Sequence, residues 1–137
     1  MPVSLDIDHH LQKTRVIVTG DITFADIRSH LDEEGGRAGL GYRELVDASQ
    51  ATAIFSSEDA RRIVEILKNL GRKGMLGPTA VILSNDLTYG MIRMVGVLLE
   101  DVCELQAFRV DEREKAEEWL AATPIAAQKQ SGHEKDA

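Results

Sequence analysis

Residues 79–83 read Thr-Ala-Val-Ile-Leu, a run with one hydroxyl and no charge. A strand with one wet face alternates apolar and polar residues, so an unbroken apolar run needs cover on both faces. That is the pattern of a central parallel strand. A parallel neighbour must be reached by a crossover, usually a helix, so this run dictates what has to lie on either side of it.

The flanking sequence supplies those crossovers. Val3–Asp8 alternates apolar and polar residues, as a half-buried strand does, and Thr14–Thr19 reads as a second strand. A polar turn at Gln12 and Lys13 separates them, which fits an antiparallel hairpin, and Gly20-Asp21 is the expected end of the second strand. Thr23 starts a helix, with Asp26 as its capping-box partner. Phe24, Ile27 and Leu31 share one face of it, and Gly35-Gly36 is its expected stop. The third strand runs around Glu44–Ala48, with Asp47 near its end. A second helix covers Ser57–Leu70, with Ala60, Ile63, Val64, Leu67 and Leu70 inward and Gly71 as its C′ residue. Ser84-Asn85-Asp86 opens a third helix, whose Leu87, Met91, Met94, Val95 and Leu98 follow the helical period. Leu105–Val110 reads as the last strand. Asp111 and Glu114 form a capping pair for a last helix, with Ala116, Trp119 and Leu120 inward. The expected order is β-β-α-β-α-β-α-β-α: an α/β fold with a mostly parallel sheet of about five strands and helices packed on it.

Composition narrows the functions. The chain has 137 residues, 43% of them apolar, which suits one domain with a substantial core. Sixteen basic against twenty-three acidic residues give a net charge of −7, unfavourable for nucleic acid or for a polybasic membrane contact. Cys103 is the only cysteine, so no internal disulfide forms, and a cytoplasmic setting is expected. The N-terminus lacks the basic region of a signal peptide, and no apolar run approaches the length of a membrane span. Residues 123–137 are expected to be a disordered tail beyond a domain at 1–122. No Gly-x-Ser-x-Gly elbow, P-loop or dinucleotide fingerprint is present, so the expectation is no enzyme, no catalytic residue and no cofactor. His9 and His10 are adjacent, His30 lies on a helix and His133 in the tail, a spacing that resembles no zinc site.

The ordered set Gly20–Ile27, Tyr42–Ser49, the helix after Ser56-Ser57, Thr79–Val95 and Phe108–Leu120 resembles the STAS domain family, in particular its SpoIIAA-like branch of small bacterial proteins. The resemblance covers about Val3 to Leu120. It implies a non-enzymatic regulatory or protein-interaction module akin to anti-sigma-factor antagonists, with a kinase or anti-sigma-type regulator as partner. It equally implies a binder of a small apolar, anionic or lipid-like ligand. In the antagonist branch a strand ending in an Asp-Leu-Ser-like triplet leads to a phosphorylated serine. Asp47-Ala48-Ser49 looks like that triplet, and Ser56 falls at the phosphoacceptor position, with Ser57 beside it. Phe55 stands where that branch has an acidic residue, and Glu58 where it has glycine. Glu58 and Asp59 place negative charge beside any phosphate.

Both serines also have a structural reading, as helix caps. In a parallel sheet the strand ends gather on one edge, which would bring together Asp21, Thr23, Asp47, Ser49, Ser84, Asn85 and Asp86. Such an edge either binds a ligand or partner or serves as caps and turns. Arg61 and Arg62 belong to a local basic surface. The third helix has no clearly polar face. Tyr89, Ile92, Arg93, Gly96 and Leu99 are candidates for an interface, including a homodimer.

Overall fold

The computed structural model describes residues 3–37 and 41–125. In chain order the elements are β1 (Val3–Asp8), β2 (Lys13–Ile22), α1 (Phe24–Arg37), β3 (Arg43–Ala53), α2 (Ser57–Arg72), β4 (Thr79–Leu83), α3 (Asp86–Leu99), β5 (Leu105–Arg109), a 3-10 turn (Val110–Glu112) and α4 (Arg113–Ala122). The sheet order is β1-β2-β3-β4-β5. The β1–β2 pair is antiparallel and the other pairs are parallel. Each crossover steps one strand in the same direction. Crossovers of one hand then place α1, α2 and α3 on one face of the sheet, and α4 returns across the other.

Every residue of β4 is buried, as its sequence requires. Val81 and Leu83 face the three-helix layer, while Ala80 and Ile82 meet Ala116 and Leu120 of α4. Phe108 packs on Trp119 with ring centroids 5.8 Å apart. Each large aliphatic side chain buried in this way contributes about 1.5–3 kcal/mol. Thr123 and Ile125 are also buried, so the packed body runs past the expected boundary at residue 122. Residues 126–137 lie outside the described residues.

Several boundaries differ from the sequence expectation, each for a local reason. β2 continues through Gly20-Asp21 to Ile22, with Gly20 at a φ of 75°. Its partner β3 continues to Ala53, so Asp47 is mid-strand, between Ile17 and Ile82. The parallel ladder between the two strands keeps both extended. α1 passes through Gly35-Gly36 to Arg37, because glycine weakens a helix without forbidding it. α2 also passes its expected stop. Its Gly71 faces Val102, and a Cβ there would stand 3.0 Å from the Val102 Cβ, so the residue serves close approach. The left-handed residue that follows the helix is Gly74, at a φ of 71°. Before α4, the carboxylate that caps is Glu112, which accepts from Arg109 N at 2.9 Å, in place of the Asp111–Glu114 pair.

Candidate functional site

The strand-edge candidates resolve into three separate arrangements. The first is built on a bulge. Ile17 faces Asp47 and Thr19 faces Gln50, so Ala48 and Ser49 of β3 oppose Val18 alone. A bulge interrupts the ladder and leaves backbone groups to be satisfied elsewhere. Here Asp47 Oδ1 accepts from Ser49 N at 3.1 Å and from Ser49 Oγ at 2.6 Å. Ser84 Oγ donates to Ser49 O at 2.6 Å. Arg113 of α4 donates to the other Asp47 oxygen at 3.0 Å. Burial raises the Asp47 pKa. The Ser49 hydrogen bonds and Arg113 outweigh it and hold the carboxyl below the ordinary aspartate value. Asp47, Ser49 and Ser84 therefore brace a distorted strand.

The second arrangement pairs Asp86 with Arg109, whose guanidinium carbon stands 4.2 Å over the Tyr89 ring. Asn85 caps α3, accepting from Thr88 N at 3.0 Å. Thr23 and Asp26 form the expected reciprocal capping box at α1, with bonds of 3.0 and 3.1 Å. Asp21 and Thr23 stand at the end of the projecting β2–β3 pair, apart from the Asp47 group. Arg109 and Arg113 are the partners that sequence reasoning missed; each carries its charge across the fold to a carboxylate remote in sequence.

The third arrangement is the start of α2. Ser56 is the N-cap: its Oγ accepts from Asp59 N at 3.1 Å, and Asp59 accepts from Ser56 N at 3.3 Å. Both Ser56 and Ser57 are exposed, and only Ser56 is engaged in the cap. Arg62 is drawn to Glu58 and Asp59 on its own helix, at 3.6 and 3.8 Å, which partly neutralises the basic surface around Arg61.

On α3 the expected faces hold only in part: Val95 is buried as expected, while Leu87, Met94 and Leu98 of the expected inward stripe are exposed. Leu99 is fully buried, Ile92 and Tyr89 pack on the core, and Gly96 lies against β5, where a Cβ would stand 2.6 Å from Leu105 O. Of the expected interface residues, Arg93 is exposed. The exposed apolar face is instead Leu87 (75%), Val97 (64%), Leu98 (41%) and Met94 (39%). Helical period identified a stripe, but an apolar helix carries two, and the period alone does not say which faces the sheet.

Beneath the three helices lies a cavity of about 170 Å³. Its floor includes Ala48, Ala51 and Ala53 of β3, and Ile27, Ile63 and Ile92 are among the residues that roof it. Glu44, Thr79, His30 and Cys103 are polar lining groups. Glu44 and Thr79 are register partners, buried with Thr14 in one row across three strands. His30 Nε2 stands 3.9 Å from Glu44 Oε1.

Among the described residues, no group of three or more His, Cys, Asp or Glu is placed to hold a metal, and no helix is long and apolar enough to cross a membrane. No protein-family model matches the chain, and no curated protein matches it. Among solved structures, it is similar to an uncharacterized protein of the DUF3478 family with a SpoIIAA-like fold from Shewanella loihica PV-4. That match covers 86% of this chain and 91% of the other, at 16% identity and a TM-score of 0.57. A likeness at that identity speaks to architecture, and the architecture of this chain is the SpoIIAA-like fold.

Proposed function

We propose that this chain is a non-enzymatic, cytoplasmic STAS-like interaction module that docks a protein partner on the outer face of α3. The observation that carries the reading is the exposure of Leu87, Met94, Val97 and Leu98 on one helix. Gly90 lies on the same helix, with open space where a Cβ would be, so a partner can approach the backbone closely. Surface apolar residues are ordinary when scattered; grouped on one helix they mark a contact. The strand-edge carboxylates support a non-catalytic role, because Asp47 and Asp86 are each committed to an arginine.

The first occupant to test is a second copy of the chain. Light scattering should give a mass above the monomer, and Val97→Glu with Leu98→Glu should return it to the monomer. A wild-type protein that stays monomeric at every concentration counts against self-association. The docking reading as a whole then rests on whether a purified kinase or anti-sigma-type regulator binds wild type and loses the double variant. Ile92 is unsuitable for this test, since it packs on the core.

Regulation by phosphorylation favours Ser57 over Ser56, because the Ser56 hydroxyl already serves the capping box. Ser57→Asp should alter partner affinity while leaving the fold intact. Identical binding by Ser57→Asp and wild type removes the switch.

A further inference from the structure

We propose that the open edge of β5, in the groove between α3 and α4, takes an extended peptide from another protein and pairs with it through the backbone. The groove adjoins the docking face of α3 at Val97, but it uses another side of that helix and does not rest on the docking reading.

Among the described residues β5 pairs only with β4, so one side of its backbone faces out of the sheet. The ladder decides which groups face out. Thr79 N donates to Glu104 O at 2.8 Å, so Glu104 turns toward β4. Backbone direction alternates along a strand, so Leu105, Ala107 and Arg109 turn away. Two contacts agree. Arg109 N donates to the Glu112 carboxylate at 2.9 Å, and Leu105 O meets α3 at Gly96. The edge is thus covered at both ends, a common protection of edge strands. The middle is left: the Leu105 N–H and both backbone groups of Ala107, at the back of the groove. The Ala107 methyl packs into the core, so its backbone is what the groove meets. A residue that presents N–H and C=O together is matched by an extended chain, which exchanges both bonds with it.

The walls select the occupant. Tyr89, Arg93, Gly96 and Glu100 form one wall, while Trp119 and Thr123 belong to the other. α3 and α4 lie on opposite faces of the sheet, so the slot between them continues the sheet plane. A single strand fits there, whereas a second copy would bring its own α3 and α4 against the walls. A strand from residues 126–137 is disfavoured by handedness. It would start from Pro124, beside the Glu104 end of β5, and run parallel to β5. Its crossover would be α4, on the face opposite α1–α3, which makes the connection left-handed.

Charge sets the direction. Glu100 follows Arg93 by two helical turns, about 10 Å along α3. Both are exposed, and neither has an ion-pair partner among the described residues. Glu104 adds a second carboxylate at the Glu100 end. α3 runs against β5, from Asp86 beside Arg109 to Gly96 beside Leu105. An antiparallel peptide, the more stable pairing, therefore meets Arg93 first and Glu100 second. The sequence favoured is one with a carboxylate followed by a cation.

The test uses isotope-labelled full-length protein, NMR and a synthetic nonapeptide of alternating threonine and valine. The peptide carries one glutamate near its start and one lysine four positions on, so that both point to the same wall. In the protein alone the Ala107 amide should exchange with solvent at least tenfold faster than that of Phe108, which turns to β4. Slow exchange at Ala107 overturns the proposal, because the edge is then already paired, by residues 126–137 or by a second copy. The peptide should shift the Leu105 and Ala107 amide signals to saturation and slow Ala107 exchange at least tenfold. No saturable shift there overturns the proposal, as do shifts confined to Leu87, Met94 and Leu98. N-methylation of alternate peptide amides isolates the backbone: one alternate set should weaken binding at least tenfold and the other leave it unchanged. Equal effects of the two sets overturn strand pairing. Arg93→Glu with Glu100→Lys should reverse the preference between this peptide and one with the two charges exchanged, and an unchanged preference overturns the assigned direction. The methylated peptides leave the protein untouched, so they decide the matter even where a variant fails to fold.

Discussion

The two halves of the sheet are built differently. Around β4 and β5 both faces are covered at close range: α4 lies on Ala80, Ile82 and Phe108, while α3 approaches β5 closely enough for Gly96 to meet Leu105. On the three-helix face a cavity lies over the alanines of β3 and reaches Val81 and Leu83 of β4. On the other face the chain places charge, with Lys13 and Arg15 reaching Glu117 at 2.7 and 3.4 Å. The contrast teaches where each part of the molecule does its work. The contacts of α4 on β4 and of α3 on β5 are close, while the β3 alanines leave a cavity of about 170 Å³.

The widest difference should appear in the core. Ile82 is fully buried between β4 and α4, so Ile82→Ala should cost about 2–5 kcal/mol in chemical denaturation, through lost burial and the new cavity. Ala48→Leu, in the open half, should leave stability near wild type. Overpacking a filled core costs about 1–3 kcal/mol, so a loss of that size at Ala48 would break the comparison.

Gly96 sharpens the same contrast. A Cβ at this position would stand 2.6 Å from Leu105 O, which is backbone and cannot rotate away. Gly96→Ala should therefore force α3 off β5 and cost about 1–3 kcal/mol. Gly90, on the same helix, has open space at that position. Gly90→Ala should stabilise the protein by about 0.5–1 kcal/mol, because alanine is the better helix former. Equal effects at the two glycines would mean that α3 does not touch β5 as described.

Legibility in the sequence followed the same division. The apolar run at 79–83 announced a doubly covered strand, and the alternation around it announced the crossovers, because burial on one or two faces leaves a periodic record. The Thr23–Asp26 box and the Asn85 cap were legible because capping is local in sequence. The bulge was not. Ser49 was visible, but its role depends on pairing with β2, and Ser84 comes from another strand end. The Asp47–Arg113 and Asp86–Arg109 pairs span 66 and 23 residues, beyond any local pattern. The cavity was equally hidden, since alanine is as common in a filled core as on a floor beneath open space. On α3 the error had a different origin: nearly every residue is apolar, so period could not choose between two faces.

The two serines before α2 give a smaller effect. Ser56 accepts from Asp59 N and completes a capping box. Ser56→Ala should cost about 1 kcal/mol, while Ser57→Ala, at an exposed first helical position, should cost a few tenths at most. Urea unfolding of both variants checks this. A larger loss at Ser57 would reverse the assignment of cap and free hydroxyl.

The smallest expected effect comes from the charged face of the open half. Asp47 and Glu117 are both held below their ordinary pKa values against the pull of burial, Asp47 by Ser49 and Arg113, and Glu117 by Lys13 and Arg15. A carboxyl whose pKa is lower in the folded state stabilises the protein above its unfolded value, near pH 4. That contribution fades as pH falls through the folded value. Both side chains remain partly exposed to solvent, so screening keeps each pair near 0.5 kcal/mol. Arg113→Ala should therefore lower stability by about that amount at pH 7. The gap from wild type should close as pH falls through the lowered folded value of Asp47, because the carboxyl is then protonated in both proteins. The Ser49 hydrogen bonds persist in the variant, so the gap stays small even at neutral pH. Urea midpoints at pH 7 and at the lowest pH at which the protein stays folded measure it. A gap of the same size at both values would show that Arg113 acts through packing of its aliphatic stem and not through the Asp47 charge. The open face of the sheet would then be held by contact, as the closed half is, and the electrostatic side of the comparison would fall.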